Sequence, residues 1–267
     1  MFGRTRSTVV TPSRFRRLSN SYDCLSNNAD VVGWSFRDGS SMGPPLIVPR
    51  DLNPGLEVEA LDSLLAGARR LDNSRLKRWL DLVGASLGVL ALMPLFALVA
   101  IAIVVESPGP PLFRQRRTGY KGAPFVIYKF RSMRVQEDGS NVVQAQKDDD
   151  RITKVGRLLR RTSVDELPQL LNVIKGEMSL VGPRPHALAH DEYYGACVTG
   201  YDLRFKAKPG LSGLAQVSGL RGETADIADM AARVDKDLEY IRTWSFFLDV
   251  KILVKTVFIF AFHPAAY

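Results

Sequence analysis

The sequence predicts a mainly helical α+β fold in which a re-entrant membrane helix, bent at Pro94, precedes a small cytoplasmic domain with amphipathic helices at the membrane interface. Three observations predict this class. Residues 82–105 form an uncharged apolar run, residues 113–134 have the pattern of two short strands, and the C-terminal part carries amphipathic helical patterns. The corresponding division is a tail over residues 1–72, the membrane helix over 73–110 and a folded domain over 111–267.

The first segment, residues 1–72, begins as low-complexity sequence. Up to about residue 60 it is rich in Ser, Arg, Asn, Gly and Pro without a sustained apolar period, which is typical of a mobile basic tail. Its arginines could rest on anionic lipid or simply be solvated. No apolar segment follows them, so we expect no secretory signal peptide. A short amphipathic helix is predicted near the end of the tail, over residues 56–71.

The apolar run is long enough to reach across a hydrocarbon core of about 30 Å, so we expect the chain to be membrane-bound. Basic residues flank both ends of the run: Arg69, Arg70, Arg75, Lys77 and Arg78 before it, and Arg114, Arg116, Arg117 and Lys121 after it. A straight crossing would leave one basic cluster outside the cytoplasm, whereas a helix that turns back at Pro94 keeps both inside. The pattern therefore favours a re-entrant helix, with a spanning helix kinked by proline as the alternative.

Asp81 lies at the polar boundary of the apolar run. A carboxylate is costly there unless it is paired, because the surroundings solvate charge poorly. We expect an arginine of the basic flank to be its partner.

Bulk charge indicates an anionic partner. The 267 residues include 36 Lys and Arg against 28 Asp and Glu, a net charge of +8 and a pI near 9.6. Nucleic acid, an acidic membrane surface or a phosphorylated substrate would all satisfy this charge. The two cysteines, Cys24 and Cys197, have no metal-binding or disulfide spacing, which suits a reducing compartment.

Residues 113–134 have the pattern of two short strands joined by turns that contain Gly and Pro. The alternation places Lys129 and Arg131 on one face. That face could line an anion site or could be an ordinary solvated strand face.

Asp165 and Glu166 form an adjacent carboxylate pair at a predicted helix start. The positive end of the helix dipole would keep both ionised, able to bind Mg²⁺ or to attack phosphorus. In the alternative, Ser163 and Glu166 form a capping box with a purely structural role. A helix capped by Asp165 is favoured because it keeps Pro168 within the first turn, where a missing N–H costs little. The helix is predicted to end near Gly176.

Arginines surround this pair in the sequence. Arg157, Arg160 and Arg161 precede it, and Arg184 follows it between two prolines that fix the backbone. A guanidinium fork suits a diphosphate, although pairing with a nearby carboxylate is the alternative.

Other polar patterns are weaker. The run from Asp148 to Asp150 could bind a metal but is more typical of a solvated loop. His186 and His190 lie four residues apart without an evident third ligand, which favours a structural role. The Gly-rich segment 208–223 lacks the ending of a nucleotide-binding P-loop. We expect a charged amphipathic helix over 225–240 and, over 244–262, a helix in the membrane interface or in the core.

Several ordered motifs carry a family resemblance. PLFRQRRTG, FVIYKFRSM, DELPQLLNVIKGEMSLVGPRP, PGLSGLAQVSGLRGE and FLDVKILVKT resemble the bacterial sugar transferase family, the monotopic polyprenyl-phosphate phosphoglycosyl transferases. The resemblance covers about residues 73–260 and implies the same helix break at a proline. The chain departs from the family pattern at Met93, Glu177, Ser212 and Leu214, where Ser, Asp, Thr and Trp are commoner.

The resemblance implies a sugar-phosphate transferase domain over 111–267. It would move a sugar 1-phosphate from a UDP-sugar, UDP-glucose or UDP-galactose, to undecaprenyl phosphate, release UMP, and so begin exopolysaccharide or glycan assembly. Asp165 would carry the phosphosugar covalently and help hold Mg²⁺, and Glu166 would assist attack by the lipid phosphate. The implied phosphate-binding residues are Arg160, Arg184, Arg221, Lys129 and Arg131. The implied location is the bacterial inner membrane, with the site on its cytoplasmic face and no nucleic-acid partner.

Two functions of other classes remain open. A metal-dependent glycosyltransferase using Asp148 to Asp150 would transfer the sugar alone and release UDP. A non-enzymatic, membrane-tethered basic adaptor would release neither nucleotide. The sequence does not predict an oligomeric state.

Overall fold

A computed structural model describes residues 54–134, 149–221 and 226–262. The helices are α1 (Pro54–Asn73), α2 (Arg75–Glu106), α3 (Lys154–Thr162), α4 (Leu170–Lys175), α5 (Leu188–Cys197), α6 (Leu214–Val217), α7 (Ile227–Thr243) and α8 (Phe246–Phe262). The strands are β1 (Leu112–Thr118), β2 (Pro124–Phe130), β3 (Ser179–Val181) and β4 (Gly210–Ser212). Short 3₁₀ turns lie at Tyr120–Gly122, Val164–Gln169 and Tyr201–Lys206. The prediction of a mainly helical fold is confirmed.

Helix α1 packs against α7, although it falls within the segment 1–72 that the sequence predicts as a tail. Leu64, Ala68 and Leu71 are buried in the main core. A Cβ on Gly67 would meet the carbonyl oxygen of Ile241, so glycine permits this close approach. The predicted short amphipathic helix is confirmed, and it belongs with the packed part of the chain. The earlier part of the predicted tail lies outside the described residues.

Helix α2 contains the apolar run and continues through Pro94. Its 32 residues would measure about 48 Å at 1.5 Å per residue. In the described ranges it alone is long and apolar enough to cross a membrane. Large apolar side chains are exposed along its length: Val83, Leu87, Leu90, Met93, Leu98, Ile101 and Val105. An apolar surface this extensive is typical of contact with lipid.

The N-terminal half of α2 packs against α4 and β3. The Arg78 guanidinium donates to the carbonyls of Val173 and Ile174, both at 2.8 Å, which satisfies the C-terminal end of α4. A Cβ on Gly84 would come within 2.7 Å of the Leu180 side chain. Small residues therefore let α2 lie directly against α4 and β3.

The C-terminal half of α2 contacts the same body. Val99 and Ile103 are buried with Phe130 of β2 and Leu159 of α3, and the Phe96 ring meets Phe130 edge to face at 5.5 Å between centroids. Both ends of the apolar helix thus pack against one folded unit.

Asp81 is buried and satisfied by groups other than arginine. It accepts hydrogen bonds from the Ser179 hydroxyl and the Leu180 backbone N–H, both at 2.9 Å. The prediction of an arginine partner is therefore wrong. The partner comes from β3, about a hundred residues away in the chain, and local sequence carries no signal for such a contact.

Strands β1 and β2 form an antiparallel hairpin, which confirms the predicted extended pair. Asn172 of α4 docks the hairpin: its carbonyl oxygen accepts from the Tyr128 N–H at 3.1 Å and its amide donates to the Val126 carbonyl at 2.7 Å. The same amide donates to Glu177 at 2.8 Å. This docking sets the position of Lys129, the next residue along β2.

Strands β3 and β4 pair in parallel through the main core. A Cβ on Gly210 would lie 2.1 Å from the Gly182 backbone nitrogen, so the two backbones can approach only because both residues are glycine. Helices α7 and α8 close the other side of this core with Tyr240, Ile241 and Ile252. The predicted helices over 225–240 and 244–262 are found as α7 and α8.

Candidate active site

Backbone geometry presents the carboxylate pair. Ser163 directly follows α3, and its φ of 54° is in the left-handed region that non-glycine residues rarely adopt. The chain then makes the 3₁₀ turn Val164–Gln169 before continuing as α4. Pro168 lies inside this turn. Gly176 follows the last residue of α4, which confirms the predicted helix end, and it adopts the left-handed conformation.

Neither predicted cap forms: the alternative capping box of Ser163 and Glu166 is absent, and the favoured prediction of a cap at Asp165 is wrong because the turn already begins at Val164. The Ser163 side chain caps no backbone N–H and instead accepts a hydrogen bond from the Arg221 guanidinium. Asp165 and Glu166 occupy the first turn of the 3₁₀ segment rather than the first turn of an α-helix. The pair is therefore placed at a helical start, as predicted, but in a tighter turn.

Glu166 is held by two cations. Lys129 Nζ donates to its Oε1 at 2.9 Å, and the Arg184 guanidinium binds both carboxylate oxygens, with Nη1 to Oε2 at 2.9 Å. Such a bidentate pair is stronger than a single hydrogen bond. Despite burial, Arg184 and Lys129 hold the pKa of Glu166 well below its usual range. Glu166 is therefore ionised.

Asp165 has a different environment. Within the described ranges its carboxylate accepts no hydrogen bond, although Lys129, Arg160 and Arg184 are close enough to act on its charge. Burial, together with the charge of Glu166, raises the pKa of Asp165 to about 6. Neighbouring carboxylates whose environments push their pKa values apart can take different chemical roles. An ionised carboxylate without hydrogen-bond donors is also a better nucleophile than one already engaged.

Of the other predicted residues, Arg160 and Arg221 lie around the pair and Arg131 does not. Arg160 contacts the Met133 sulfur at 3.9 Å, and its charge favours ionisation of Asp165. Arg131 is only 4% exposed, and its guanidinium donates to the carbonyls of Ser107 and Pro108, both at 2.6 Å. Arg131 is therefore committed to the end of α2, because those carbonyls need donors after the helix stops.

The backbone of Arg184 is held by a buried arginine. Arg204 donates to the Arg184 carbonyl at 2.7 Å and forms an ion pair with Asp237 at 2.8 Å. Sequence reasoning missed this support. A possible signal was Asp237, a carboxylate at a core-facing position of the amphipathic helix α7, where an unpaired charge would be costly.

The histidines and the acidic run do not join the pair. His186 is buried with hydrogen bonds to Tyr201 and Arg204, and burial together with the Arg204 charge keeps its pKa well below normal, so a structural role is supported. Asp148 lies outside the described residues, and both carboxylate oxygens of Asp149 are bound by Arg151.

A magnesium ion would fit at Asp165. Mg²⁺ is commonly held by one or two carboxylates together with substrate phosphates and water. The Asp165 carboxylate has room for such a role because no donor in the described ranges binds it. The described residues contain no group of three or more His, Cys, Asp or Glu side chains that could hold a metal by itself. The possible metal ligands among the described residues therefore fit a metal ion that binds together with a phosphorylated substrate.

Arg184→Lys should lower kcat/KM by about 10- to 100-fold, the equivalent of losing one charge-assisted hydrogen bond. The reason is that a lysine cannot bind both oxygens of Glu166 or present a fork to a diphosphate. Steady-state kinetics of the purified variant would measure this. Arg161→Lys, on the exposed side of α3, is the matched control and should retain activity. Equal activity of the two variants would contradict the assigned role of Arg184.

A carboxylate pair surrounded by arginine and lysine, beside an exposed apolar helix, defines a membrane-associated enzyme of phosphate chemistry. A model of the bacterial sugar transferase family matches residues 72–263. This chain belongs to the bacterial sugar transferase family, which confirms the resemblance carried by its motifs.

Curated relatives agree with this membership. A UDP-glucose:undecaprenyl-phosphate glucose-1-phosphate transferase of Caulobacter vibrioides is 58% identical over 239 residues, covering 90% of this chain and 88% of that protein. The protein of the same name from Escherichia coli is 50% identical over 79% of this chain but only 44% of its own length. A UDP-N-acetylgalactosamine-undecaprenyl-phosphate N-acetylgalactosaminephosphotransferase of Aeromonas hydrophila is 40% identical, over 68% of this chain and 43% of that protein. The chain thus spans less than half the length of the latter two relatives.

Proposed function

We propose that this protein transfers glucose 1-phosphate from UDP-glucose to undecaprenyl phosphate, with release of UMP, as the first step in assembling an exopolysaccharide or related glycan. The names of the Caulobacter and Escherichia relatives support the donor and acceptor. One observation of the site carries the chemistry: Asp165 has no hydrogen-bond donor in the described ranges, beside a Glu166 held by Lys129 and Arg184.

The reaction proceeds in two displacements at one phosphorus. An Asp165 oxygen attacks the β-phosphorus of the UDP-sugar, the bond from that phosphorus to the bridging oxygen breaks, and UMP leaves with the bond electrons. An oxygen of undecaprenyl phosphate then attacks the same phosphorus, and Asp165 is released as a carboxylate. Splitting the transfer lowers each barrier, as in other covalent mechanisms.

Glu166 and the two cations that bind it are arranged to receive the phosphates of the substrate in this proposal. Glu166 holds Arg184 and Lys129 beside Asp165. In this proposal both cations bind phosphate oxygens of the substrate, and Arg160 and Arg221 add positive charge. When a substrate diphosphate draws Arg184 and Lys129 to itself, the pKa of Glu166 rises. Glu166 can then assist the lipid phosphate, as the family resemblance implies. Asp165 would help hold a bound Mg²⁺, which would neutralise charge at the diphosphate.

We further propose that α2 is re-entrant in the inner membrane and keeps the site on the cytoplasmic face. Support comes from the packing of both halves of α2 against the same folded unit, since the ends of a crossing helix lie on opposite sides of the bilayer. Single cysteines introduced as Arg75→Cys and Leu112→Cys should both react with a membrane-impermeant maleimide only from the cytoplasmic side. Labelling of the two positions from opposite sides would show a spanning helix.

Product analysis tests the function. The purified full chain in lipid nanodiscs, supplied with UDP-glucose, undecaprenyl phosphate and Mg²⁺, should release UMP and form a lipid-linked glucose diphosphate. Release of UDP would instead indicate a glycosyltransferase, and no nucleotide release with any UDP-sugar would favour a binding adaptor. Parallel reactions with UDP-galactose and UDP-N-acetylgalactosamine would test the choice of glucose.

A further inference from the structure

An apolar cavity of about 210 Å³ lies beside the carboxylate pair. Its walls come from the 3₁₀ turn, β3, β4, α6 and α8, and the apolar lining residues are Leu167, Leu180, Leu211, Val217, Leu253 and Ile259. A dry cavity of about 150 Å³ accepts a molecule the size of benzene, so this one has room for roughly one or two five-carbon units. The cavity is large enough to hold part of a substrate.

The polar groups of this cavity are unevenly arranged. Ser163, Glu166 and Arg221 line it where it meets the site, and Arg221 donates to the Ser163 hydroxyl. Ser212 and Thr256 also line it, but their hydroxyls bond to each other at 2.6 Å, and the Thr256 hydroxyl also bonds to the Ile252 carbonyl. These two side chains therefore need no polar ligand. Gln216 also lines the cavity, and its buried amide oxygen has no hydrogen-bond partner in the described ranges. Apart from that oxygen, a cation and a carboxylate stand beside a space whose walls are apolar or internally bonded.

Helix α8 separates the cavity from an exposed apolar surface. Leu253, Thr256 and Ile259 face the cavity, whereas Val250, Val254, Val257 and Phe258 are exposed on the other side. An exposed face of this composition is typical of a helix lying in the membrane interface. The cavity is thus one helix away from the surface where a membrane lipid would arrive.

We propose that this cavity holds the isoprene units next to the phosphate of the polyprenyl acceptor while that phosphate lies near Arg221 and Asp165. The proposal rests on the proposed function, and it identifies the isoprene units next to the phosphate as a part of the acceptor that the protein binds. A lipid phosphate drawn up to the carboxylate pair takes its first carbons out of the hydrocarbon, and an apolar cavity keeps those carbons from water. Uracil and ribose suit the cavity less well because each carries several polar groups, and apart from Gln216 most of the wall is apolar and would leave them unpaired.

Filling the cavity tests the proposal. Leu253→Trp should raise the KM for undecaprenyl phosphate by about tenfold or more, the loss expected when roughly two methylene groups are no longer buried. The KM for UDP-glucose and the lipid-independent exchange of UMP with UDP-glucose should stay unchanged, because those steps do not use the acceptor. Val254→Trp, the adjacent position on the exposed face of α8, is the matched control. An equal effect of both variants, or loss of the exchange reaction in Leu253→Trp alone, would overturn the assignment.

Photochemical labelling gives a second measurement. It uses the unaltered protein, so a folding defect caused by a substitution cannot affect the result. A farnesyl phosphate with a diazirine on its first isoprene unit should label Leu211, Val217 or Leu253, with competition by undecaprenyl phosphate. Labelling confined to the outer face of α8 would refute the cavity as the site. Failure of the unaltered protein to release UMP would instead refute the proposed function, so the two failures can be told apart.

Discussion

Asp165→Asn should reduce UMP release by about a thousandfold or more, because an amide cannot form the acyl-phosphate bond on which the mechanism depends. No covalent adduct should accumulate when the variant is mixed with labelled UDP-glucose and analysed by mass spectrometry. Asp235→Asn, an exposed position on α7, is the matched control and should form the adduct normally. Substantial turnover by Asp165→Asn would show that another group attacks the phosphorus.

The same variant should be more stable than the natural protein at pH 7.5. The pKa of Asp165 is raised from 3.8 to about 6 in the fold, so the ionised side chain opposes folding. This opposition is absent below the unfolded pKa and fully present above the folded one. Removing the Asp165 charge should raise the free energy of unfolding by about 1–2 kcal/mol, and Tm by a few degrees, at pH 7.5. This gain should shrink as the pH falls towards 4. Identical melting curves across this range would mean that Asp165 is not perturbed.

Asp249→Ala should destabilise the fold by about 3–5 kcal/mol, the usual cost of removing one partner of a buried ion pair. Asp249 is 0% exposed and accepts from Lys77 at 2.8 Å, from Tyr240 at 2.7 Å and from the Trp244 indole at 3.1 Å. Its loss leaves the buried Lys77 ammonium without its ion-pair partner. Denaturant unfolding in detergent, followed by tryptophan fluorescence, would measure the change.

A double variant separates charge from packing in this cluster. Lys77→Met combined with Asp249→Leu should recover much of the stability, since apolar residues of similar volume often replace a buried pair without loss. Breaking the pair between Lys236 and Glu239, which are both 41% exposed, should cost less than about 1 kcal/mol. If Asp249→Ala were as mild as Lys236→Ala, the cluster would not stabilise the fold.

The Lys77 and Asp249 cluster also bears on function. It ties the N-terminal end of α2 to the start of α8, the two helices whose exposed faces are most apolar. Lys77 also donates to the Val181 carbonyl at 2.9 Å, just before the segment that carries Arg184. One buried network therefore fixes the exposed apolar faces of α2 and α8 relative to the segment that carries Arg184.

Local sequence was enough to place several elements. The apolar run became α2, the alternating segment became the β1–β2 hairpin, and Gly176 ended α4, because side-chain periodicity and backbone preference act over a few residues. The carboxylate pair was identified as a candidate site through the family resemblance, since its spacing alone fits a structural capping box as well.

What the sequence by itself determined, then, is which elements form and which residues carry charge near the site. Only the tertiary structure decided that Glu166 is clamped and Asp165 is not, that Arg131 serves the end of α2, and that Arg204 supports Arg184. The physical reason is that these outcomes depend on hydrogen-bond partners and burial contributed by segments far apart in the chain. The type of a residue sets the charge of its side chain, but tertiary packing decides which group neutralises that charge.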